Sequence, residues 1–488
     1  MIDLKADPLN REKKAQLGQY FTSNGIARFM TDLFAPREHN TCLLLDAGAG
    51  LGYLSEAFLE KWVAGGLNFT ELLVDAFEID SSLSTSLSLS LGKYRQYPGF
   101  SANVRHADFI TVATEWLSGS LFAEELPQYT HAILNPPYKK IQSGSAYRAA
   151  LRRAGIETVN LYTAFIALAL SLLADGGQLV AIVPRSFCNG PYYRSFREFV
   201  LQRAALRHVH LFESRTTAFK DDDVLQENVI ILLERNGRQG PVRITTSFDD
   251  TFSGFAAHDY PFEQIVFPDD GEQIIYIPTS PEQNAIEIST TIQYTLADLG
   301  VQVSTGPVVD FRVKAQLRDL PDADSVPLLY PSHFRNGRLA WPIAGAKKPN
   351  AIVCDPDTEK WLYPNGYYCV VRRFSSKEEK RRIVAGVVDP AKFPGVSLLG
   401  FENHLNILHE DKHGLPGHLA WGLATYLNST TVDDFFRRFN GHTQVNATDL
   451  RLIKYPGRAQ LLALGEWAER QEEPTQASID AEVETLIL

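Results

Sequence analysis

The tetrapeptide Asn135-Pro136-Pro137-Tyr138 places an amide, two prolines and an aromatic ring directly after an apolar run, residues 131–134. Each proline fixes its own φ, lacks an N–H and biases the residue before it toward extended backbone. The spacing predicts a stiff loop at a strand end, with an amide oxygen and a backbone carbonyl beside a ring. Two such oxygens can accept both hydrogens of an NH2 group, and the ring can stack on the planar system that carries it. These residues therefore predict a pocket for a planar amine.

A glycine-rich turn follows an earlier apolar run, residues 43–45. Asp46 ends that run, and glycines stand at 48, 50 and 52 before an amphipathic pattern that predicts a helix. Glycines at a strand-to-helix turn let the backbone approach a ligand closely. A dinucleotide-binding fingerprint would need its third glycine where Tyr53 stands. The pattern therefore favours a nucleoside ligand without a pyrophosphate, with Gly48 and Gly50 close to it.

Acidic residues follow the next two predicted strands. Glu78 comes directly after the apolar run 72–77, where a carboxylate can accept hydrogen bonds from both hydroxyls of a ribose. Asp108 and Phe109 follow the third strand, where the acid can accept from an adenine NH2 and the ring can pack on the base. Either acid taken alone could equally be a solvated residue at a strand end. Three such features after three successive strands favour one shared ligand site.

Two further segments carry candidate contacts outside these strands. Tyr20-Phe21-Thr22-Ser23 precedes the first strand and is either a loop that closes over the ligand or the start of an ordinary helix that packs on the sheet. In the first interpretation Tyr20 and Thr22 contact the ligand. Phe219 is an isolated aromatic residue in a polar loop. Its loop position makes it a candidate to cover another edge of the planar amine.

Strand and helix patterns alternate from residue 43 to about residue 235. This alternation predicts an α/β fold, with a doubly wound, mostly parallel sheet of seven strands and ligands at the carboxyl edge. The strongly apolar stretch 160–173 predicts a buried helix. Beyond about residue 250 the alternation stops, and short β-like runs, prolines and aromatic residues dominate. We therefore predict two domains, 1–280 and 281–488, the second of the α+β class.

The second domain interleaves basic and aromatic residues, which are types that contact phosphates and base edges. An ordinary β-rich surface with extended charged side chains would look the same. The arginines that we single out as candidate DNA contacts are Arg312, Arg335, Arg338, Arg372, Arg373, Arg437 and Arg438.

The net charge of −11 is unevenly distributed along the chain. Residues 301–460 hold 21 Lys+Arg against 16 Asp+Glu, a net charge of +5, and the last stretch of the chain is strongly acidic. Because local charge decides nucleic-acid affinity, the acidic total is only weak support for excluding DNA. No apolar stretch is long enough to span a bilayer, and the first residues are too polar for a signal peptide. Four scattered cysteines and no metal-ligand pattern suggest a cytoplasmic protein without a metal.

The order of these features resembles that of the gamma class of DNA adenine-N6 methyltransferases of type II restriction–modification systems. In that family a Tyr-Phe-Thr-Pro segment precedes the glycine turn. An acidic residue, an Asp-Phe pair and Asn-Pro-Pro-Tyr follow, and then a C-terminal target-recognition domain. The resemblance covers about residues 13–235 and continues more loosely into the end of the second domain. Ser23 replaces the proline that is usual in the first motif.

The resemblance implies S-adenosylmethionine as the cofactor and N6 of an adenine flipped out of double-stranded DNA as the acceptor. It implies that the cofactor is held by Tyr20, Thr22, Asp46, Gly48, Gly50, Glu78, Asp108, Phe109 and Asn135. It implies that the target base is held by Asn135, Pro136, Tyr138 and Phe219, with Asn135, Pro136 and Tyr138 as catalytic residues. If the oxygens of Asn135 and Pro136 accept both N6 hydrogens, the nitrogen can recover its lone pair for in-line attack on the methyl group.

Other acceptors stay open. Asn-Pro-Pro-Tyr also occurs in enzymes that methylate ribosomal RNA bases or a protein glutamine amide, and a binding module with this fold could lack catalysis. The size and basic-aromatic character of the second domain favour DNA, and the acids at 78 and 108 favour catalysis. Cytosine N4 is less favoured, because a serine is more usual there in the place of Asn135. We expect a monomer, no membrane contact, and a cognate restriction endonuclease that acts separately.

Overall fold

The computed structural model describes residues 22–35, 40–121, 123–212, 227–268, 270–278, 284–376, 378–441 and 443–487. The chain divides into two compact units, Met1–Thr279 and Ser280–Leu488, which we call unit 1 and unit 2. This division differs by one residue from the boundary predicted from the sequence. Tyr20 and Phe219, two of the predicted contacts, lie outside the described residues.

Unit 1 is organised around one sheet. Its strands are β1 (Thr41–Ala47), β2 (Glu71–Phe77), β3 (Phe100–Arg105), β4 (Tyr129–Leu134), β5 (Leu173–Pro184), β6 (Ala204–Phe212), β7 (Asn228–Arg235), β8 (Val242–Ser247) and β9 (Ala256–Tyr260). Each of β1, β2 and β4 ends in four consecutive buried residues. Such continuous burial is typical of parallel strands that are covered on both faces.

The strands lie in the order β3-β2-β1-β4-β5-β7-β6-β8-β9. β7 and β9 run antiparallel to their neighbours, and the other strands share one direction. The predicted α/β class with a mostly parallel sheet is therefore confirmed. The predicted number of seven strands was too low, because β8 and β9 extend the sheet beyond β6. β9 is exposed at four of its five positions, so it has no apolar run that would have marked it as a strand.

Helices cover both faces of this sheet. They are α1 (Asn24–Asp32), α2 (Tyr53–Val63), α3 (Ser81–Gly92), α4 (Phe109–Leu117), α5 (Ala146–Arg153), α6 (Leu161–Leu172), α7 (Arg194–Arg203) and the short α8 (Phe262–Ile265). Residues of α1, α2 and α3 join a hydrophobic core on one face, and residues of α4 to α7 join a second core on the other. The predicted buried helix is α6, which is buried at every position from Tyr162 to Leu170.

Unit 2 contains short strands in three sheets. The strands are β10 (Ile292–Tyr294), β11 (Gln302–Thr305), β12 (Leu317–Arg318), β13 (Ser325–Leu329), β14 (Phe334–Arg335), β15 (Arg338–Leu339), β16 (Ala351–Val353), β17 (Tyr363–Pro364), β18 (Tyr368–Arg372), β19 (Ala385–Val388), β20 (Leu398–Phe401), β21 (Leu405–His409) and β22 (Tyr455–Pro456). A six-stranded sheet has the order β11-β21-β18-β19-β15-β14, and a five-stranded sheet the order β12-β16-β13-β20-β17. β10 and β22 form a separate pair.

The helices of unit 2 lie mostly at its carboxyl end, which gives the predicted α+β composition. They are α9 (Ala285–Ile288), α10 (Gly417–Leu427), α11 (Thr430–Phe439), α12 (Ala447–Leu452), α13 (Arg458–Glu469) and α14 (Gln476–Ile487). Glycines allow α10 and α13 to touch backbone to backbone. A Cβ atom added at Gly465 of α13 would lie only 1.7 Å from the carbonyl oxygen of His418 in α10.

Across the described ranges, no helix is both long enough and apolar enough to cross a membrane. Within the same ranges, no group of three or more His, Cys, Asp or Glu residues could hold a metal ion. All four cysteines are free thiols, and Cys42, Cys188 and Cys369 are buried.

Candidate active site

A cleft of about 1000 Å³, part of it open to solvent, lies in unit 1 at the carboxyl ends of β1, β2 and β4. Parallel strands bring their carboxyl ends to one edge, so motifs that are far apart in the sequence meet there. The cleft brings together seven of the residues predicted from the sequence, namely Thr22, Gly48, Gly50, Glu78, Asp108, Phe109 and Asn135.

The glycine turn after β1 forms one wall of the cleft. Gly48 and Gly50 both have positive φ, at 78° and 58°, a region in which other residues are strained. The amides of Gly48 and Ala49 donate to the carbonyl oxygen of Phe77 at 2.9 Å, which ties the turn to the end of β2. A Cβ atom added at Gly50 would meet no described atom within 4 Å. Bare backbone therefore borders open space in the cleft.

Glu78 is held rigidly at the end of β2. One carboxylate oxygen accepts from the amide of Asp80 at 2.7 Å, and the other accepts from the amide of Gly50 at 2.8 Å. Burial raises the pKa of Glu78 above its ordinary value, although these hydrogen bonds oppose the shift. Each carboxylate oxygen can accept more than one hydrogen bond. Glu78 can therefore also accept hydroxyl groups of a ligand in the cleft.

Asp108 and Phe109 lie where β3 leads into α4. The Asp108 carboxylate caps this helix, accepting from the amide of Ile110 at 3.2 Å and from the hydroxyl of Thr111 at 2.6 Å. Tyr147 lines the same cleft as Asp108; burial, followed by the charge of Asp108, raises the pKa of Tyr147 to about 12. This tyrosine therefore stays a neutral donor.

Aromatic rings form the floor beside these acids. The buried ring of Phe109 has Phe77 and Phe165 as neighbours, each with its ring centroid 5.2 Å away. Ile79, between Glu78 and the next acid, adds an aliphatic side chain to the lining. An apolar floor bordered by two fixed carboxylates suits a planar ring that carries hydrogen-bond donors.

Asn135 connects the Asn-Pro-Pro-Tyr loop to the N-terminal segment. Its side-chain nitrogen donates to the hydroxyl of Thr22 at 2.9 Å, and its side-chain oxygen accepts from the hydroxyl of Tyr138 at 3.2 Å. The Tyr138 hydroxyl also lies 3.2 Å from the carbonyl oxygen of Ile182 at the end of β5. The ring of Tyr138 meets that of Tyr162 edge to face, with centroids 6.1 Å apart. These contacts fix which way the amide of Asn135 faces.

Asp46 lies beneath the glycine turn and does not line the cleft. It is completely buried, and its carboxylate accepts from the hydroxyl of Ser55 in α2 at 2.6 Å. Burial, opposed by the bond from Ser55 and aided by the charge of Glu78, raises the pKa of Asp46 to about 7. Asp46 therefore ties the end of β1 to α2, across the glycine turn that connects them.

Several lining residues were missed by the sequence reasoning. Ile79 could have been found from its place beside Glu78. Tyr147, Leu161 and Phe165 gave no signal, because they come from helices whose patterns indicate only burial. Among the predicted residues, Pro136 and Tyr138 lie in the Asn-Pro-Pro-Tyr loop but do not line the cleft, whereas Pro137 does.

The arginines predicted to contact DNA have different surroundings in unit 2. Arg338 and Arg372 line a second cleft, of about 1280 Å³, together with Arg381 and Trp421. Arg338 lies over the ring of Trp421 and donates to the carbonyl oxygen of Gln471, and Arg372 pairs with Glu379. The exposed arginines of the set are Arg312 and Arg335.

Three of the predicted arginines bind other parts of unit 2. Arg373 donates to the carbonyl oxygen of Asn403 at 2.9 Å. Arg437 pairs with Asp433 at 2.8 Å, and Arg438 with Glu287 at 3.0 Å. The pair formed by Arg438 is mostly buried, and these contacts give the three arginines structural roles.

The chain is similar in sequence to known type II methyltransferases. The sequence model of the Eco57I restriction-modification methylase family matches residues 96–219. The chain is 50% identical to the type II methyltransferase M.BsuBI of Bacillus subtilis, over 99% of this chain and 96% of that protein. It is 40% identical to the type II methyltransferase M.PstI of Providencia stuartii, over 93% of this chain and 89% of that protein.

Among solved structures, the type IIL restriction-modification enzyme MmeI in complex with DNA is similar in fold. The TM-score is 0.50 at 10% sequence identity, over 98% of this chain and 71% of that chain. At this identity the similarity concerns the fold alone.

Proposed function

The chain belongs to the type II methyltransferases of restriction–modification systems, and on this premise we propose that it transfers the methyl group of S-adenosylmethionine to N6 of adenine in double-stranded DNA. The observation that carries the proposal is the position of Asn135. Its amide borders the same cleft as the glycine turn and Glu78, and it is oriented by Thr22 and Tyr138.

The residues of the cleft fit S-adenosylmethionine by their chemistry. Glu78 would accept its two ribose hydroxyls, Asp108 its adenine NH2, and the ring of Phe109 would pack on the base. The open backbone at Gly48 and Gly50 would lie against the methionine part, and Thr22 would contribute from the N-terminal segment. The cofactor supplies, when bound, a methyl group on a positively charged sulfur; the transfer forms an N–C bond as the S–C bond breaks, and the nitrogen then loses a proton.

The protein's part in the transfer is to prepare the amine. The lone pair of an adenine N6 is delocalised into the ring, and it becomes available when both N–H bonds donate to fixed acceptors. The side-chain oxygen of Asn135 and the carbonyl oxygen of Pro136 would be these acceptors, and Tyr138 would stack on one face of the base. Preorganised acceptors need no reorganisation during the reaction, which is their main contribution to rate.

Unit 2 would bind the DNA. Arg338 and Arg372 line its cleft and the exposed Arg312 and Arg335 lie on its surface, where guanidinium groups can reach phosphates. We propose further that the protein acts as a monomer in the cytoplasm, beside a separate cognate endonuclease. The family and the distribution of basic residues support the assignment of DNA binding to unit 2.

The central test is the variant Asn135→Ala with a matched control, Asn68→Ala, at an exposed asparagine in unit 1. Each protein is incubated with labelled cofactor and random-sequence DNA, and the modified bases are identified by mass spectrometry and mapped by sequencing. We expect the unchanged protein and Asn68→Ala to produce N6-methyladenine in one sequence context. Asn135→Ala should lose transfer by about a thousandfold, as expected when a preorganised group is removed, while its cofactor affinity, measured by calorimetry, changes by less than a few-fold.

Two results would contradict the proposal. Full transfer by Asn135→Ala would show that its amide is not the acceptor of the N6 hydrogens. Methylcytosine without any N6-methyladenine in the product of the unchanged protein would exclude adenine as the target.

A further inference from the structure

A buried glutamate in unit 2 holds a half-buried histidine in the turn between β20 and β21. The side chain of Glu402 has an exposed fraction of 0%, and that of His404 has 39%. One carboxylate oxygen of Glu402 accepts from the backbone amide of His404 at 2.9 Å, and the other bonds to Nδ1 of its ring. Both oxygens therefore bind the same residue. The other ring nitrogen, Nε2, has no hydrogen-bond partner among the residues that the structure describes.

The neighbouring strand makes this histidine still more rigid. The backbone amide of Arg373, directly after β18, donates to the carbonyl oxygen of His404 at 2.8 Å. The next residue, Phe374, places its ring against the imidazole, with centroids 4.8 Å apart and the planes inclined by 43°. Phe374 is 43% exposed. An exposed apolar ring and an oriented imidazole thus share one surface.

The charges around His404 balance one another. The guanidinium of Arg373 donates to the carbonyl oxygen of Asn403 at 2.9 Å and to the side chain of Gln444 at 3.2 Å. The acid Asp310, whose pKa is lowered in part by the nearby His404, is paired with Lys348 at 2.6 Å. Two acids, Glu402 and Asp310, therefore face two bases, Arg373 and Lys348. A surface for DNA phosphates needs an excess of positive charge, and these four charged groups provide none.

A buried carboxylate is also costly for a purely structural role. Removing a carboxylate from water carries a penalty that its partners must repay. Among the residues that the structure describes, Glu402 meets this penalty through the backbone and ring of His404, with the charge of Arg373 nearby. The arrangement orients one histidine, and orientation matters most where that histidine contacts a ligand.

We propose that His404 and Phe374 read a base pair of double-stranded DNA, and that Glu402 is the positioning residue for His404. The inference rests on the proposed function, since it names one part of the surface that selects the methylated site. Nε2 of His404 would hydrogen-bond to a base edge, and the ring of Phe374 would make an apolar contact such as that with a thymine methyl group. Base contacts specify the sequence, whereas phosphate contacts position the protein.

The test compares His404→Ala and Phe374→Ala with a matched control, His418→Ala. His418 is an exposed histidine of unit 2 that, like His404, is bound to a glutamate, here Glu469 at 3.0 Å. For each protein, methylation is measured on the preferred oligonucleotide and on every single-base-pair variant of it, at several salt concentrations. Near-UV circular dichroism and cofactor affinity verify that each variant is folded.

We expect His404→Ala and Phe374→Ala to lose about tenfold in discrimination at one base-pair position, the effect of one lost hydrogen bond or apolar contact. The loss should fall on kcat/KM for DNA, with kcat changed less than threefold and the salt dependence unchanged. His418→Ala should match the unchanged protein. Glu402→Gln, which retains one acceptor but not the charge, should lose part of the discrimination at the same position.

Three outcomes would overturn the inference. The first is unchanged discrimination in both His404→Ala and Phe374→Ala. The second is an equal loss for all sequences together with a weaker salt dependence, which would make this a phosphate contact. The third is an equal effect in His418→Ala. If the unchanged protein methylates no DNA, the proposed function itself fails, and that result is obtained before any variant is compared.

Discussion

Replacing Asp46 by asparagine should change the stability of unit 1 in a way that depends on pH. Asp46 is completely buried under the glycine turn, and burial raises the pKa of its carboxyl group from 3.8 to about 7. One carboxylate oxygen accepts from Ser55, and the other has no hydrogen-bond partner among the described residues. At neutral pH the folded protein therefore holds this carboxyl group partly protonated, whereas the unfolded chain has it ionised.

The sign and size of the effect follow from the two pKa values. Between pH 3.8 and about 7 the folded state binds more protons at Asp46 than the unfolded state does. The free energy of unfolding therefore falls as the pH rises through this window, by about 1.4 kcal/mol per pH unit. Over about three units this amounts to roughly 4 kcal/mol, which is fully lost above pH 7.

An asparagine cannot ionise, so the free energy of unfolding of Asp46→Asn should not fall with pH in this way. Its oxygen can still accept from Ser55, but its NH2 group comes to lie where no described partner is available, at a cost of about 1–3 kcal/mol. We expect the variant to be less stable than the unchanged protein at pH 4 by this cost. At pH 8 the order should reverse, and the variant should be more stable by about 1–3 kcal/mol.

Hydrogen exchange of peptides from β1 and α2, followed by mass spectrometry at pH 4–8, measures the opening free energy where Asp46 lies. Asp259→Asn, at an exposed residue of β9, is the matched control. A difference between Asp46→Asn and the unchanged protein that stays constant from pH 4 to pH 8 would refute the reasoning. The same would follow if Asp259→Asn showed an equal dependence on pH.

Three further predictions concern other contacts. Burial lowers the pKa of His210 to about 3, whereas the unfolded residue binds its proton near pH 6.5. The free energy of unfolding, measured with urea, should therefore fall as the pH falls below 6.5. This fall should be less steep in His210→Asn. Gly465→Ala should lower the thermal midpoint of unit 2 by several degrees, since its Cβ would collide with the carbonyl oxygen of His418. Tyr147→Phe, which removes a neutral hydroxyl from the lining of the cleft that also contains Asp108, should weaken cofactor binding in calorimetry about tenfold, with kcat at saturation unchanged.

The part of the candidate site that could be predicted from the sequence is the part built from strand ends. Glu78, Asp108 and Asn135 each follow a strand directly, and parallel strands bring such positions to one edge. The tilt and packing of the helices were not predictable in this way. Phe165 and Tyr147 reach the cleft because α6 and α5 lie against it, and their sequence patterns indicate only which faces are buried.

The roles of single arginines were not predictable, because a guanidinium takes its role from partners that are distant in the sequence. Arg438 bonds to Glu287, 151 residues earlier in the chain, and Arg373 bonds to a turn 30 residues later. The sequence shows only that an arginine stands beside an aromatic residue. The fold determines whether the charge is used inside the unit or presented to solvent.

Tyr138 was identified as a site residue from the sequence, but its hydrogen bond to Asn135 was not predicted. Its ring was predicted to stack on the target amine, and the structure adds a bond from its hydroxyl to the side-chain oxygen of Asn135 at 3.2 Å. Thr22 meanwhile accepts from the Asn135 nitrogen, so both ends of the amide are held. Because a carbonyl oxygen can accept two hydrogen bonds, the bond from Tyr138 and one from a target amine are compatible. The amide can therefore face its substrate before the substrate arrives, as electrostatic preorganisation requires.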